Sequence, residues 1–581
     1  MDHRFLEHQY FQMRERQVRL HGRSLTAMDR KASQVIFNTA IQAIENVKTG
    51  NRTTCMQAVS LSTGLGKSTS AYALIATFAQ HDPQFSAAYV VPTIKMAIEA
   101  QEEIELLLGP NTTTLWSSYH KHKGVDARKA VEALGFLPAR TVNKADLPTS
   151  RIIIVTHDKL KHELQSRMKE GCTTYCGKPR SIVFIDEHPE LVQVVHATPE
   201  RLQSFHDQLV KLNTRHPWLP VVSAVVSRMS ALARSEGQPY VPIELLSPDE
   251  ARVFDDDAGL SLWELTDDEL SQDMRFSELE GMRSAVAFLL AAVSGNAFYS
   301  RRDWSFFAYQ LHFASDYPGF VLLDATSDLT GLVSLHPHVR LVDVPPVSYE
   351  RLELFHMDVS TKFKRINDVI KSAATGREYG RFIFQSVIAN SQPGDEVLVV
   401  VHKNVLGQEL IPMSEDPGQP MDWEGRKVNT QNWGAGIGLN KFKHKTHVFL
   451  FGDYYLPRPS TIAQAHGWSQ EPLSEECLRH AEGRRQSGDL YAPRGGYLRV
   501  HEGHQLRWIK QLAMRGTARQ VDGDGRCYPM KLFTTMDLSL LLPNLHRLFP
   551  NARPPLPAMA SDQTGDEQPV DERPKLTHFW Q

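Results

Sequence analysis

Met56-Gln57-Ala58-Val59-Ser60-Leu61-Ser62-Thr63-Gly64-Leu65-Gly66-Lys67-Ser68 is the stretch on which the reading of this chain turns. Its first half is apolar enough for a buried strand, and its second half is a short loop with two glycines that closes on Lys-Ser. A helix-compatible segment, Thr69 to Gln80, follows directly. That order suits a nucleoside triphosphate. Glycines let backbone N–H groups converge on phosphate oxygens, a Lys ammonium reaches the outer phosphates, and a Ser hydroxyl can ligate Mg²⁺. The first turn of the following helix adds its positive dipole end. Thr63, Gly64, Leu65, Gly66, Lys67, Ser68 and Thr69 are therefore the expected nucleotide-binding residues. One position departs from the usual pattern: Leu61 stands five residues before Gly66, where a first glycine is customary.

Working outward, strands and helices alternate. Residues 27–47 carry apolar side chains at helical spacing and lead into the first strand. Apolar runs at 87–92, 151–156 and 181–185 read as further strands, with helical segments at 93–108 and 158–170. Short, continuously apolar strands separated by helices predict an α/β fold with a parallel sheet covered on both faces. From about 195 to 316 the pattern turns mostly helical and reads as an α-rich insertion. Alternation resumes at 319–326, and the connector Asp343-Val344-Pro345-Pro346 reads as a domain boundary. A second α/β set follows, with strands at 396–402 and 446–452 and a helix at 505–515. The expected division is an arm (1–26), a first domain (27–344), a second domain (345–550) and a disordered tail (551–581) rich in Pro, Asp and Glu.

Composition narrows the class. At 581 residues the chain exceeds what one core supports, and a net charge of −3 advertises no global basic field. A cleft lined with a few Lys and Arg suffices for nucleic acid all the same. The apolar run 285–293 is far too short for a bilayer, and residues 1–23 are charged throughout, so no membrane partner and a cytoplasmic location are expected. Five cysteines form an odd, sparse set that does not read as a disulfide framework. Cys172 and Cys176, with His157 and His162 upstream, make a weak zinc pattern, and reduced structural thiols are the expectation. The run Asp255-Asp256-Asp257 reads as solvated acids rather than a metal site.

A phosphate loop needs acids that hold Mg²⁺ and orient water. Asp186 and Glu187 close the apolar strand 181–185, at the carboxyl end where ligand crevices of open α/β sheets lie. Asp186 is expected to bind the metal through its hydration shell, with Ser68 as the other metal residue, and Glu187 to polarise water toward the γ-phosphate. The bland alternative is an exposed acidic turn, and only the pairing with the loop at 62–68 separates the two.

Taken in order, these landmarks resemble the motifs of superfamily 2 helicases of the DEAD/DEAH-like kind, over most of residues 27–535. Ser62 to Ser68 resembles motif I; Val90-Val91-Pro92-Thr93 with Gln101 is similar to motif Ia; Ile154 to His157 resembles the strand end before motif II. Asp186-Glu187-His188-Pro189 resembles motif II, with Pro in its fourth place, and Asp324-Ala325-Thr326 resembles motif III. In the second half, Val397 to Lys403 is similar to motif IV and Trp433 to Asn440 to motif V. Gln511 to Arg519 is similar to motif VI, with Met514 in place of a glycine and its second Arg one residue late. Gln34 stands where a Q motif would contact adenine, although an exposed helical Gln is the better reading.

The resemblance implies two RecA-like domains that bind ATP and Mg²⁺ between them, and an ATP-dependent helicase or translocase. Lys67, Asp186, Glu187 and Arg515 are the implied catalytic residues, with Arg519 as a second arginine. DNA is favoured over RNA, because the insertion and the divergent motif V differ from a compact RNA-type enzyme. The basic clusters His120-Lys121-His122-Lys123 and Lys441-Phe442-Lys443-His444-Lys445 are candidate nucleic-acid contacts or solvated loops. A non-unwinding nucleic-acid motor and a P-loop binding module without turnover stand as the alternatives.

Overall fold

The computed structural model describes residues 2–116, 144–165, 171–212, 215–234, 240–254, 276–293, 295–300, 305–313, 316–359, 369–414, 419–435, 441–469, 471, 474 and 496–559. The cluster at 120–123, the acids at 255–257, Cys477, the end of the motif V-like segment (436–440) and residues 560–581 lie outside them. The chain forms two compact units, Met1–Pro345 with Tyr455–Arg507, and Pro346–Tyr454 with Trp508–Gln581.

The first unit is built on a seven-stranded sheet. Its order is Val339–Val342, Met56–Val59, Phe320–Leu323, Ile182–Asp186, Ala87–Val91, Ile152–Thr156 and Thr114–Leu115, and every pair is parallel. The four central strands from Met56–Val59 to Ala87–Val91 are buried at every residue, which explains their unbroken apolar runs. Each fully buried Val, Leu, Ile or Phe there contributes roughly 1.5–3 kcal/mol. Register places Val59, Leu323 and Asp186 side by side in one row. The loop after Val59, the turn after Leu323 and the acidic turn after Ile185 therefore leave the sheet at one level of its carboxyl edge.

The arm is a helix, His3–Leu20, which buries Leu6, Tyr10, Met13, Arg14 and Gln17. It packs on the helix Lys67–His81 that follows the loop. Ala27–Thr49 is a second helix, opened by a Thr26/Asp29 capping box and closed by Gly50 in the left-handed region, φ 67°.

The insertion expected to be α-rich contains a sheet as well. Val192–Ala197, Ser305–Leu311, Ala297–Ser300 and Tyr240–Pro242 form a four-stranded antiparallel sheet in that order. Helices Pro199–Leu212, Trp218–Arg234 and Phe276–Val293 share a core with it. Phe298, Tyr299, Phe306, Phe307 and Tyr309 are the β-favouring aromatics that make these strands. The helix Arg458–Ser469, which sequence order assigned to 345–550, packs on this sheet within the first unit. Gly467 allows the approach, since a Cβ there would meet the Tyr309 ring at 3.0 Å.

The second unit has its own seven-stranded sheet: Met421–Trp423, Arg426–Asn432, Glu396–Val401, His447–Leu450, Met530–Thr534, Leu352–His356 and Leu556–Pro557. All pairs are parallel except the hairpin Met421–Trp423 with Arg426–Asn432. Leu556–Pro557 pairs with Phe355 and His356, so ordered structure continues past the expected boundary at 550. Among the described residues no helix is long and apolar enough to cross a membrane.

Candidate functional site

The loop owes its shape to its glycines. Gly64 and Gly66 have φ of 88° and 69°, in the left-handed region, and Gly66 caps the helix Lys67–His81. Gly66 admits no side chain: a Cβ there would lie 2.9 Å from Thr69 Oγ1 and 3.2 Å from a guanidinium nitrogen of Arg14. Leu61, the departure from pattern, is fully buried with an ordinary backbone. Its carbonyl accepts a 2.8 Å bond from Lys67 Nζ. The position thus serves the core through its side chain and the lysine through its backbone.

Across the sheet edge, Ser68 Oγ donates to Asp186 Oδ2 at 2.7 Å, and Tyr89 OH donates to the same oxygen at 2.7 Å. Asp186 is buried, which pushes its carboxyl pKa up; the two hydroxyls and the nearby Lys67 charge pull it back, and Asp324 adds to the rise. His157 donates from Nε2 to the Asp186 carbonyl at 2.9 Å, and burial holds that imidazole neutral with a pKa of about 3. Glu187 is half-buried, with φ of 62° and its N–H bonded to Leu323 O at 3.1 Å. A non-glycine residue in that region is strained, and the sheet's hydrogen bond holds it there.

The motif III-like turn is self-capped. Asp324, fully buried, accepts from Thr326 N at 3.3 Å, Thr326 Oγ1 at 2.9 Å and Ser327 Oγ at 3.2 Å. Ser60, at the end of the loop strand, donates to Asp328. The returning segment covers this turn: a Cβ on Gly503 would lie 2.6 Å from Leu329 O, and one on Gly331 would meet Val500 and Trp468. Arg507 donates to the His188 carbonyl at 3.4 Å. Burial first, then the Arg507 charge, lowers the His188 pKa to about 4, and His504 is lowered to about 3 for the same two reasons.

An ATP–Mg²⁺ pair fits what is present. Thr63 Oγ1 is a buried hydroxyl without a hydrogen-bond partner among the described residues, Gly66 opens a cradle that any Cβ would fill, and Lys67, Ser68 and Asp186 form the donor set such a pair requires. Thr69 bonds back to Gly66 O at 3.0 Å and shapes the cradle rather than adding to its donors. Two residues that sequence reasoning missed complete the surroundings. Arg14 is buried against the loop, with Nε on Ser33 Oγ at 3.2 Å and NH1 on Gln17 Oε1 at 2.6 Å. Ser33 in turn meets Ser70 of the loop helix at 3.1 Å. Tyr89 is the other. An Arg-x-x-Gln step on a helix and a lone Tyr in an aliphatic strand were the available signals.

Other expected residues fall elsewhere. Gln34 bonds to Asn38 at 3.0 Å in an exposed pair, and Gln101 is tied to Thr113 at 3.2 Å. In the basic cluster at 441–445, Phe442 is buried and Lys445 is locked to Glu396 at 2.6 Å, so both belong to the second unit's framework. Among the described residues no group of three or more His, Cys, Asp or Glu is arranged to hold a metal, and Cys172 is buried while Cys176 is exposed. Arg515 and Arg519 lie in the second unit, Arg515 buried just after the helix Gly496–Ala513 and Arg519 half-buried in the short 3₁₀ turn Thr517–Arg519.

A phosphate loop, an acid pair two strands away and two mainly parallel seven-stranded sheets define a P-loop protein with two RecA-like sheets. Residues 29–193 match the family described as the type III restriction enzyme res subunit. Among solved structures, S. tokodaii Xpd4 is 14% identical, with 89% of this chain and 97% of that one covered and a TM-score of 0.46. E. coli DEAH/RHA helicase HrpB is 12% identical over 86% of this chain and 42% of that one, TM-score 0.31. S. cerevisiae Dbp5 bound to RNA and ADP BeF3 is 11% identical over 91% and 94%, TM-score 0.32. No curated protein matches the sequence.

Proposed function

We propose that this chain is an ATP-hydrolysing nucleic-acid motor of the superfamily 2 type, a helicase or translocase with DNA as its preferred track. The observation that carries the reading is the 2.7 Å bond from Ser68 Oγ to Asp186 Oδ2, which joins the phosphate loop to the acid strand. Bound Mg²⁺ would supply charge neutralisation on the phosphate oxygens. Ser68 and Asp186 would hold it, and Thr63 to Thr69 would take the phosphates through the loop's N–H groups. Lys67, held at the Leu61 carbonyl, would turn to the outer phosphates. Glu187 would orient the attacking water, and Arg515, with Arg519 second, would neutralise charge on the transferring phosphoryl group. The DNA preference rests on the long folded insertion between the acidic turn and the Asp324 turn.

ATPase rate measured against single- and double-stranded DNA and RNA at low salt tests this. Stimulation, largest with DNA, is expected, and no stimulation by any polymer contradicts the motor reading. A strand-displacement assay then separates unwinding from translocation without unwinding.

A further inference from the structure

Tyr89 sits at the centre of an otherwise aliphatic strand, Ala87–Val91, and is fully buried. Its ring packs edge-on against Tyr72 at 4.9 Å, one helical turn beyond Ser68 on the loop helix, and lies 6.4 Å from Phe184 of the acid strand. Nothing in backbone pairing requires a hydroxyl here, since neighbouring positions are Ala and Val. Yet the phenol oxygen ends 2.7 Å from Asp186 Oδ2, the same atom that Ser68 reaches from the loop.

We propose that Tyr89 is a positioning residue for the metal site: its hydroxyl holds the Asp186 carboxylate in the orientation that receives Mg²⁺. This rests on the ATP–Mg²⁺ reading above. The two donors on Oδ2 are not equivalent. Ser68 is a metal-ligand type of residue on the loop, so its oxygen would also be drawn on by the metal through a lone pair. Tyr89 is walled in by Tyr72 and Phe184 and has no such second role. It therefore keeps Oδ2 occupied, and the carboxylate fixed, whether or not Ser68 is engaged. Removing a partner that orients a group holding the metal changes metal affinity by about 10–100-fold.

The test is Tyr89→Phe in the full chain, which keeps the ring and its packing. A fluorescent, non-hydrolysable ATP analogue is titrated with and without Mg²⁺, and the Mg²⁺ concentration giving half-maximal tight binding is read. Wild type should show an Mg²⁺-dependent gain. In Tyr89→Phe the metal-free affinity should be unchanged and the half-maximal Mg²⁺ should rise about tenfold or more. An unchanged melting temperature of the variant shows that the ring still packs, and a Tyr89→Leu chain that loses metal-free binding as well separates packing from orientation. A Tyr89→Phe titration that overlays the wild type overturns this proposal alone. A wild-type chain that binds no nucleotide overturns the ATP reading and this proposal with it.

Discussion

The two seven-stranded sheets share a parallel plan but differ in what their edges carry. In the first unit Val59, Leu323 and Asp186 lie in one row, and three successive turns bring Lys67, Ser68, Asp186 and Glu187 to one level. Their hydrogen bonds are made within the unit: Ser68 to Asp186, Lys67 to Leu61, Tyr89 to Asp186. In the second unit several of the charged residues that look chemical are structural. Lys445 neutralises Glu396 and also bonds to Lys427 O at 3.0 Å, and Arg426 fans out to Ser391 and Ile388 carbonyls. The lesson is that one scaffold can be armed by its turns or merely braced by its charges. Sequence motifs blur where bracing dominates.

If the first unit holds nucleotide on its own residues, Lys67→Ala should remove nucleotide binding and ATP turnover together, measured by equilibrium titration and phosphate release. Binding at wild-type affinity in that variant would break the comparison. The second unit's share should be purely kinetic. Arg515→Ala is expected to keep nucleotide affinity and lose about 10³-fold or more in kcat, the scale of an arginine finger. Arg519→Ala should change kcat by no more than a few-fold, given its half-exposed place in the 3₁₀ turn; equal losses would mean that both arginines act. Glu187→Gln should lower kcat by about 10²–10⁴-fold while nucleotide affinity stays, because it removes the proton acceptor and keeps the shape.

The smallest effect concerns stability. His157 and His504 are held near pKa 3 and His188 near 4, below the ordinary 6.5, by burial above all. A lowered folded pKa means the unfolded chain binds protons first as pH falls. The stability of the neutral rings is fully present above pH 6.5 and declines from there toward about pH 3 for His157 and His504 and about pH 4 for His188, at most about 1.4 kcal/mol per pH unit for each histidine. Melting temperature should drop between pH 7 and pH 5, and His504→Gln should flatten that slope.

Much of the first sheet is legible in sequence because its strands are buried on both faces and so are continuously apolar. The loop and the acids are legible because phosphate chemistry restricts residue type and spacing. Three things are not. The antiparallel sheet at 192–311 is interrupted by helices, and its short aromatic strands, such as Ala297–Ser300, fall below the length at which a period can be read. The return of 455–507 to the first unit is a long-range packing event, decided by Trp468, Tyr497, Leu498 and Val500 joining the core of Met56 and Phe320. Arg14 and Tyr89 meet their partners at the loop and Asp186 only across long stretches of sequence, so the Arg-x-x-Gln step and the lone Tyr do not by themselves say what those side chains touch.

The decisive measurement is phosphate release from ATP by the 581-residue chain, with and without single-stranded DNA at low salt. Slow Mg²⁺-dependent turnover is expected, rising severalfold or more with DNA and vanishing in Lys67→Ala. Nucleotide binding without turnover, in the presence of every polymer tried, would contradict it and leave a P-loop binding module.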